Sequence, residues 1–210
     1  MAAARTGNAQ LASLFAAGVP IVQVEDDALA TLGVGDRAGR RLAIDALRAL
    51  MDGIEGHVAL SISGGDASAI GPDVLYAAAF SSHGFDLVHG PDGWRSAQQA
   101  PRERGLVLGV ADCRTNAPDY VPLSVWAARY GASMGARGLE RIGLAPSAGL
   151  ELLPLDAARQ KLRRLAQAAD VAALPTERMR DSMPKNALTR GTLPGRTLVP
   201  RRRSTRHPET

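Results

Sequence analysis

The chain has 210 residues, 45% of them hydrophobic and 22% charged, which is the balance of an ordinary soluble globular domain and not of a fibrous or wholly disordered chain. Its formal charge is +4, but the average misleads: residues 176–210 hold nine Lys or Arg against three Asp or Glu, and residues 1–175 hold sixteen against eighteen. The basic character belongs to the C-terminal segment, and what precedes it is slightly acidic.

One cysteine, Cys113, excludes an internal disulfide and fits a reducing compartment. No run approaches the roughly 18 to 20 apolar residues that cross a bilayer. The opening stretch, residues 1–18, lacks the charged region and unbroken apolar core of a signal peptide. The expectation is a cytoplasmic protein with no membrane partner.

In chain order, an amphipathic helix ending at Gly18 precedes a strand, Val19–Glu25. A helix follows, with Leu42, Leu47, Leu50 and Ile54 at helical spacing and Gly53 near its end. Gly56–Ser63 reads as a second strand, and "GPDVLYAAAFSSHG" as a second helix with Pro72 near its first turn. Phe85–His89 reads as a third strand, and the segment from there to Arg104 is weakly patterned. Arg104–Asp112 is the fourth strand and "YVPLSVWAARYGASMG" its helix. Arg141–Pro146 is the fifth. The last helix lines up Leu155, Ala158, Leu162, Leu165 and Ala169 on one face, with Arg159, Lys161, Arg163 and Arg164 read as mostly solvated.

Five alternations of strand and helix predict βα units and a parallel sheet. Strand repeats of about 25 to 45 residues suit a (β/α) barrel better than a doubly wound sheet. From Thr176 the apolar period stops, so residues 1–175 are expected to form the domain and residues 176–210 a disordered basic tail. The run Arg201–Arg203 is read as solvated, and nucleic acid is not the expected partner.

Two short features carry weaker signals. "SGGDASAIG", Ser63–Gly71, follows a strand and precedes a helix, but it has neither the lysine of a phosphate loop nor dinucleotide-fingerprint spacing, and it reads as a tight βα turn. Cys113 follows Asp112 at a strand end with no His or Lys close in sequence, and it reads as a partly buried thiol.

Three stretches in this order, "AAGVPIVQVEDDAL", "VLGVADCRTNAPDYVPLSVWAARY" and "ERIGLAPSAGLELLPLDAARQKLRRL", resemble the C-terminal catalytic barrel of cobalamin-independent methionine synthases. The resemblance runs from about Leu11 to Leu174. It implies an incomplete (β/α)8 TIM-type barrel of about five βα units. It also implies methyl transfer from methyl-tetrahydrofolate to homocysteine in methionine biosynthesis. In that family a zinc ion binds the substrate thiol and holds it as the thiolate, which is the nucleophilic form.

The family's positions transfer unevenly. Glu25 and Asp26 stand where the family has Asp-Glu, one of which meets the substrate amino group, and Asp112 matches a family Asp at another strand end. The zinc ligands fall near Leu60, Ile62, His89 and Ala148. Of these only His89 is able to bind a metal, Ser147 stands where the family has Asp, and moving the register brings only Ser61 and Ser63 into play. Trp94 and Trp126 are read as packing residues before stacking platforms for a pterin.

The implied chain is a degenerate or truncated methyltransferase-type member with no cofactor expected for itself. Its activity alone is uncertain. The implied partners are a separately encoded N-terminal half-barrel or a second copy of the chain, with a thiol and a folate as small molecules. A non-enzymatic binding or scaffold protein is the alternative.

Overall fold

The computed structural model describes residues 1–63 and 65–182. Its strands are β1 (Ile21–Glu25), β2 (His57–Ile62), β3 (Ser82–Asp86), β4 (Gly105–Ala111) and β5 (Ile142–Pro146). Its helices are α1 (Ala2–Ala16), α2 (Arg37–Met51), α3 (Pro72–Leu75), α4 (Gly93–Gln99), α5 (Val121–Ser133), α6 (Leu155–Ala173) and α7 (Thr176–Ser182). The strands form one sheet in the order β1-β2-β3-β4-β5, every neighbouring pair parallel.

Sequential order with no reversal is the topology of a singly wound barrel segment. A doubly wound sheet would reverse its strand order and carry helices on both faces. Register fixes which face is covered, because successive side chains alternate and paired residues share a side. Val24, Leu60, His83, Leu106 and Ile142 form one such row across the sheet, and Ile62, Phe85, Leu108 and Leu144 lie on the same side. The apolar members of these rows pack in one core with Leu11 of α1, Leu47 and Met51 of α2, Val74 and Leu75 of α3, Ala97 of α4 and Ala127 of α5. Burying a side chain such as Leu60 or Phe85 contributes about 1.5–3 kcal/mol.

The opposite face carries mostly small or polar residues, Gln23 and Glu25, Ala59 and Ser61, Ser82, Gly84 and Asp86, Gly105 and Gly109, Gly143 and Ala145, with Ile21 and Val107 its larger apolar members. A methyl added to Gly84 would approach Ser61 Oγ to 3.0 Å, and one on Gly105 would approach Ser82 Cβ to 2.9 Å. That face is therefore tightly lined, as the inner wall of a barrel is. Among the described residues β1 and β5 each pair on one side only.

Local sequence explains the helices. Asp36 caps α2 by accepting from Gly39 N at 2.9 Å, an interaction whose loss costs about 1 kcal/mol. Asn8 of α1 donates to the carbonyls of Leu50 (2.9 Å) and Asp52 (2.8 Å), tying α1 across the end of α2.

The structure departs from the sequence reading at four places. The third strand is Ser82–Asp86, three residues earlier than Phe85–His89, because Ser82 and His83 take the pairing positions opposite Ala59 and Leu60 although their side chains are polar. The second helix is a single turn, Pro72–Leu75, and the weakly patterned stretch before Arg104 holds α4. Residues Thr176–Ser182 form a helix, so helical structure continues past residue 175, with Met179 packed against the cluster of Val125, Ala128, Ala168 and Ala172. The expected basic tail beyond this point, including Arg201–Arg203, lies outside the described residues.

Candidate functional site

The C-terminal ends of the strands gather polar side chains. Glu25 closes β1 on the open face, exposed, and its Oε1 accepts from Gln23 Nε2 at 2.7 Å. Asp26 is half-buried, and its amide donates to Ser61 O at 3.1 Å. Asp27 Oδ1 accepts from both the amide (2.9 Å) and the hydroxyl (3.0 Å) of Ser63, joining the ends of β1 and β2.

At the ends of β3 and β4 the groups are closer. Asp86, its side chain fully buried, accepts through Oδ1 from the amides of Val88 (3.0 Å) and His89 (2.8 Å). Its Oδ2 lies 3.0 Å from His89 Nδ1. The other ring nitrogen, Nε2, lies 3.2 Å from Asp112 Oδ1. The His89 ring thus bridges a buried carboxylate and one that is 32% exposed.

Cys113, buried, completes a cluster in which one donor atom each from His89, Asp112 and Cys113 lies within 4.8 Å of the other two. The backbone holding this cluster is tied from behind. Asp119 Oδ1 accepts from Asp112 N at 3.0 Å, and Ser147 Oγ accepts from Cys113 N at 3.1 Å. Asp119 is itself held by Lys161 Nζ, 3.1 Å from its Oδ2, with the lysine also donating to Ala117 O at 2.9 Å. Lys161 is 1% exposed; the expectation of a solvated lysine fails because α6 lays this side chain against the strand-end loop rather than into water.

The turn Ser63–Gly71, of which Gly64 lies outside the described residues, behaves as a tight connection. Asp66 Oδ1 accepts from Ser68 N at 2.8 Å. A Cβ on Gly90 would meet Asp66 Cα and Gly65 O at 2.6 Å, so glycine lets the loop after β3 lie directly on this turn.

The zinc positions implied by the family resemblance do not fit. Leu60 and Ile62 are 0% and 1% exposed and point into the helix-side core. The open-face residues of β2 are Ala59 and Ser61. Ala148 brings no ligand atom, and Ser147 is committed to Cys113 N. Only His89 lies at the strand-end mouth with a nitrogen aimed at another potential ligand.

Of the residues singled out from sequence, the fold brings His89 and Asp112 into contact, while Glu25 and Asp26 stand at the end of β1, with β2 between it and β3. Cys113, read from sequence as a partly buried thiol with no His nearby, has the His89 ring beside it. The signal was available in strand adjacency, since β3 and β4 are neighbours and the loops after them therefore meet.

Trp94, Trp126 and Tyr130 form a cluster on α4 and α5. Trp94 meets Trp126 edge-on at 5.8 Å and Trp126 stacks on Tyr130 at 5.1 Å. These rings pack on one another. A groove of about 650 Å³ opens at the N-terminal ends of the strands, lined by His57, Phe80, Arg104 and Arg141 among others. It is the end opposite to the one where barrels place their chemistry.

No family model matches the sequence and no curated protein is significantly similar to it. Solved structures do match. A B12-independent methionine synthase from Shewanella sp. W3-18-1, in complex with selenomethionine, superposes with a TM-score of 0.67 at 17% identity, over 80% of this chain and 52% of that one. A putative vitamin-B12 independent methionine synthase from Listeria monocytogenes gives a TM-score of 0.59 at 14% identity, with the same two coverages. The chain has the fold of these methionine synthases. It spans about half the length of each. No helix among its described residues is long and apolar enough to cross a membrane.

Proposed function

We propose that the chain is a half-barrel module of the methionine synthase type, binding an amino-acid thiol or thioether at the C-terminal ends of its strands. Methyl transfer would require further strands to close the barrel. The observation that carries this reading is the placement of Glu25, Asp26 and Asp112 at the C-terminal ends of parallel strands, where barrels place their chemistry. Glu25 and Asp26 are carboxylates suited to an ammonium group, and the Shewanella neighbour holds selenomethionine.

The open edges of β1 and β5 bear on partners. Ile21 at the β1 edge is 58% exposed, and an open parallel edge is ready to pair with another strand. A complementary half-barrel or a second copy of the chain is a partner able to supply strands to it. A non-enzymatic binding role is the limit of this reading in which no such strands are ever engaged.

Calorimetry with methionine and with homocysteine tests the binding part. Measurable binding that is weakened at least about tenfold in Glu25→Ala supports it, since loss of a charge-assisted contact costs about 1.5–3 kcal/mol. A folded chain that binds neither compound sinks it. Methyl transfer from methyl-tetrahydrofolate, assayed with and without a complementary half-barrel, tests the enzymatic part.

A further inference from the structure

We infer that His89, Asp112 and Cys113 form a site for one borderline divalent cation, Zn²⁺ foremost, at the C-terminal ends of β3 and β4. The donor set is mixed: an imidazole nitrogen, a carboxylate oxygen and a sulfur, with one atom of each inside a 4.8 Å circle. Ligand atoms around tetrahedral zinc, at about 2.0–2.3 Å from the metal, stand about 3.3–3.8 Å from one another. The His89–Asp112 separation of 3.2 Å is close to that range, and the Cys113 sulfur lies within 4.8 Å of both donors. Hard cations such as Mg²⁺ and Ca²⁺ take oxygen ligands and have no use for the sulfur.

The surroundings of His89 are compatible with a bound cation. A neutral imidazole has one N–H, yet both His89 nitrogens face carboxylate oxygens, at 3.0 Å and 3.2 Å. Asp86 is the better placed to take that hydrogen, because it is buried and pinned by two backbone amides. In that neutral form Nε2 turns its lone pair toward an Asp112 oxygen, a contact that a second ring proton or a bound metal ion satisfies. A metal-bound histidine commonly donates its other N–H to a carboxylate in this way, which fixes its tautomer and orientation.

The remaining ligands are supported in the same manner. Asp119, anchored by buried Lys161, holds the amide of Asp112, and buried Ser147 holds the amide of Cys113. Asp112 Oδ1 also accepts from Arg114 N at 2.8 Å. Three protein ligands, two of them partly open to water, leave a fourth position for solvent or a small molecule, the pattern of a working rather than a purely structural metal site. The set shares only His89 with the positions implied by the methionine synthase resemblance.

The inference rests on the strand ends being the working face of the chain, but its test needs neither an amino acid nor a methyl donor. The full chain is titrated with Co²⁺ and followed by absorption, then with Zn²⁺ in competition with a chromogenic chelator. The expected result is one cation per chain, with a thiolate-to-cobalt charge-transfer band. Cys113→Ser is expected to abolish the band, and His89→Gln to weaken Zn²⁺ binding by more than about 100-fold. Asp86→Asn is expected to keep the band and lose about 10–100-fold in affinity, as a residue that positions the ligand. His57→Gln, at the other end of β2, is expected to change nothing.

Circular dichroism establishes that each variant is folded, and if Cys113→Ser is not, His89→Gln reports on the same site. A folded wild-type chain that takes up no cation at equimolar metal overturns the inference. So does uptake undiminished in both variants. Cation uptake without amino-acid binding sinks only the proposed function, and the converse sinks only the cation site.

Discussion

Lys161 Nζ lies 3.1 Å from Asp119 Oδ2, with the lysine 1% exposed, and Asp119 in turn accepts the amide of Asp112 at 3.0 Å. One ion pair therefore connects the long helix α6 to the loop that presents Asp112 and Cys113. Removing one partner of a buried pair leaves the other charge uncompensated, which costs about 3–5 kcal/mol. Lys161→Ala is expected to lower the unfolding free energy by about 3 kcal/mol in urea titrations and to speed hydrogen exchange at the Asp112 amide. Exchange at that amide unchanged in a folded variant would refute the connection.

His83 governs a pH dependence of stability. It is 1% exposed, its Nε2 lies 3.0 Å from Leu75 O, and its Nδ1 has no hydrogen-bond partner. Burial, with help from the nearby Arg104 and Arg137 charges, lowers its pKa from 6.5 to about 4, against the opposing effect of the Leu75 contact. Between those values the unfolded chain binds the proton and the folded chain does not, so stability falls as pH drops from about 6.5 to about 4 and this contribution is then fully lost. The group accounts for up to about 3 kcal/mol. His83→Gln is expected to flatten the pH dependence of the urea midpoint across that window; an unchanged slope would count against it.

The parity of β2 is open to a chemical test. In a Cys113→Ser background, Ser61→Cys is expected to react with a water-soluble thiol reagent in the folded state. Leu60→Cys is expected to react only on unfolding, since Leu60 is 0% exposed under the helices. Equal reactivity would mean that the sheet faces are assigned the wrong way round.

Arg137 clamps the segment before β4. Its buried guanidinium donates to the carbonyls of Ala100 (3.2 Å), Pro101 (2.9 Å), Arg102 (3.1 Å) and Arg104 (2.6 Å). Arg137→Met removes every donor, and with each unpaired buried acceptor costing about 1–3 kcal/mol a loss above about 3 kcal/mol is expected. Arg137→Lys is expected to recover only part, because an ammonium lacks the planar fork. Thermal unfolding of the two variants measures this, and a lysine variant as stable as the parent would contradict it.

The alternation of strands and helices was legible without coordinates, because apolar-rich runs such as "VALSI" follow the local period that burial imposes on a strand. The face read on the last helix was not, since Leu155 and Leu162 are 62% and 51% exposed and the helix buries Lys161, Leu165, Ala168 and Ala172. The barrel type of fold was legible from that alternation, together with the resemblance carried by the three motif stretches. Local period gives no information where burial and polarity disagree. Ser82 and His83 entered β3 on pairing geometry alone. Lys161 read as solvated because sequence does not show that α6 lies over the Asp119 loop.

Composition and order along the chain determined that this is a parallel α/β protein, with five strands among the described residues. Tertiary structure alone decided which face Leu60 and Ile62 occupy, since a strand's parity depends on its neighbours' register. It alone decided that His89, Asp112 and Cys113 meet, because donors twenty-three residues apart are brought together only when β3 and β4 become neighbours in the sheet and their end loops close on each other.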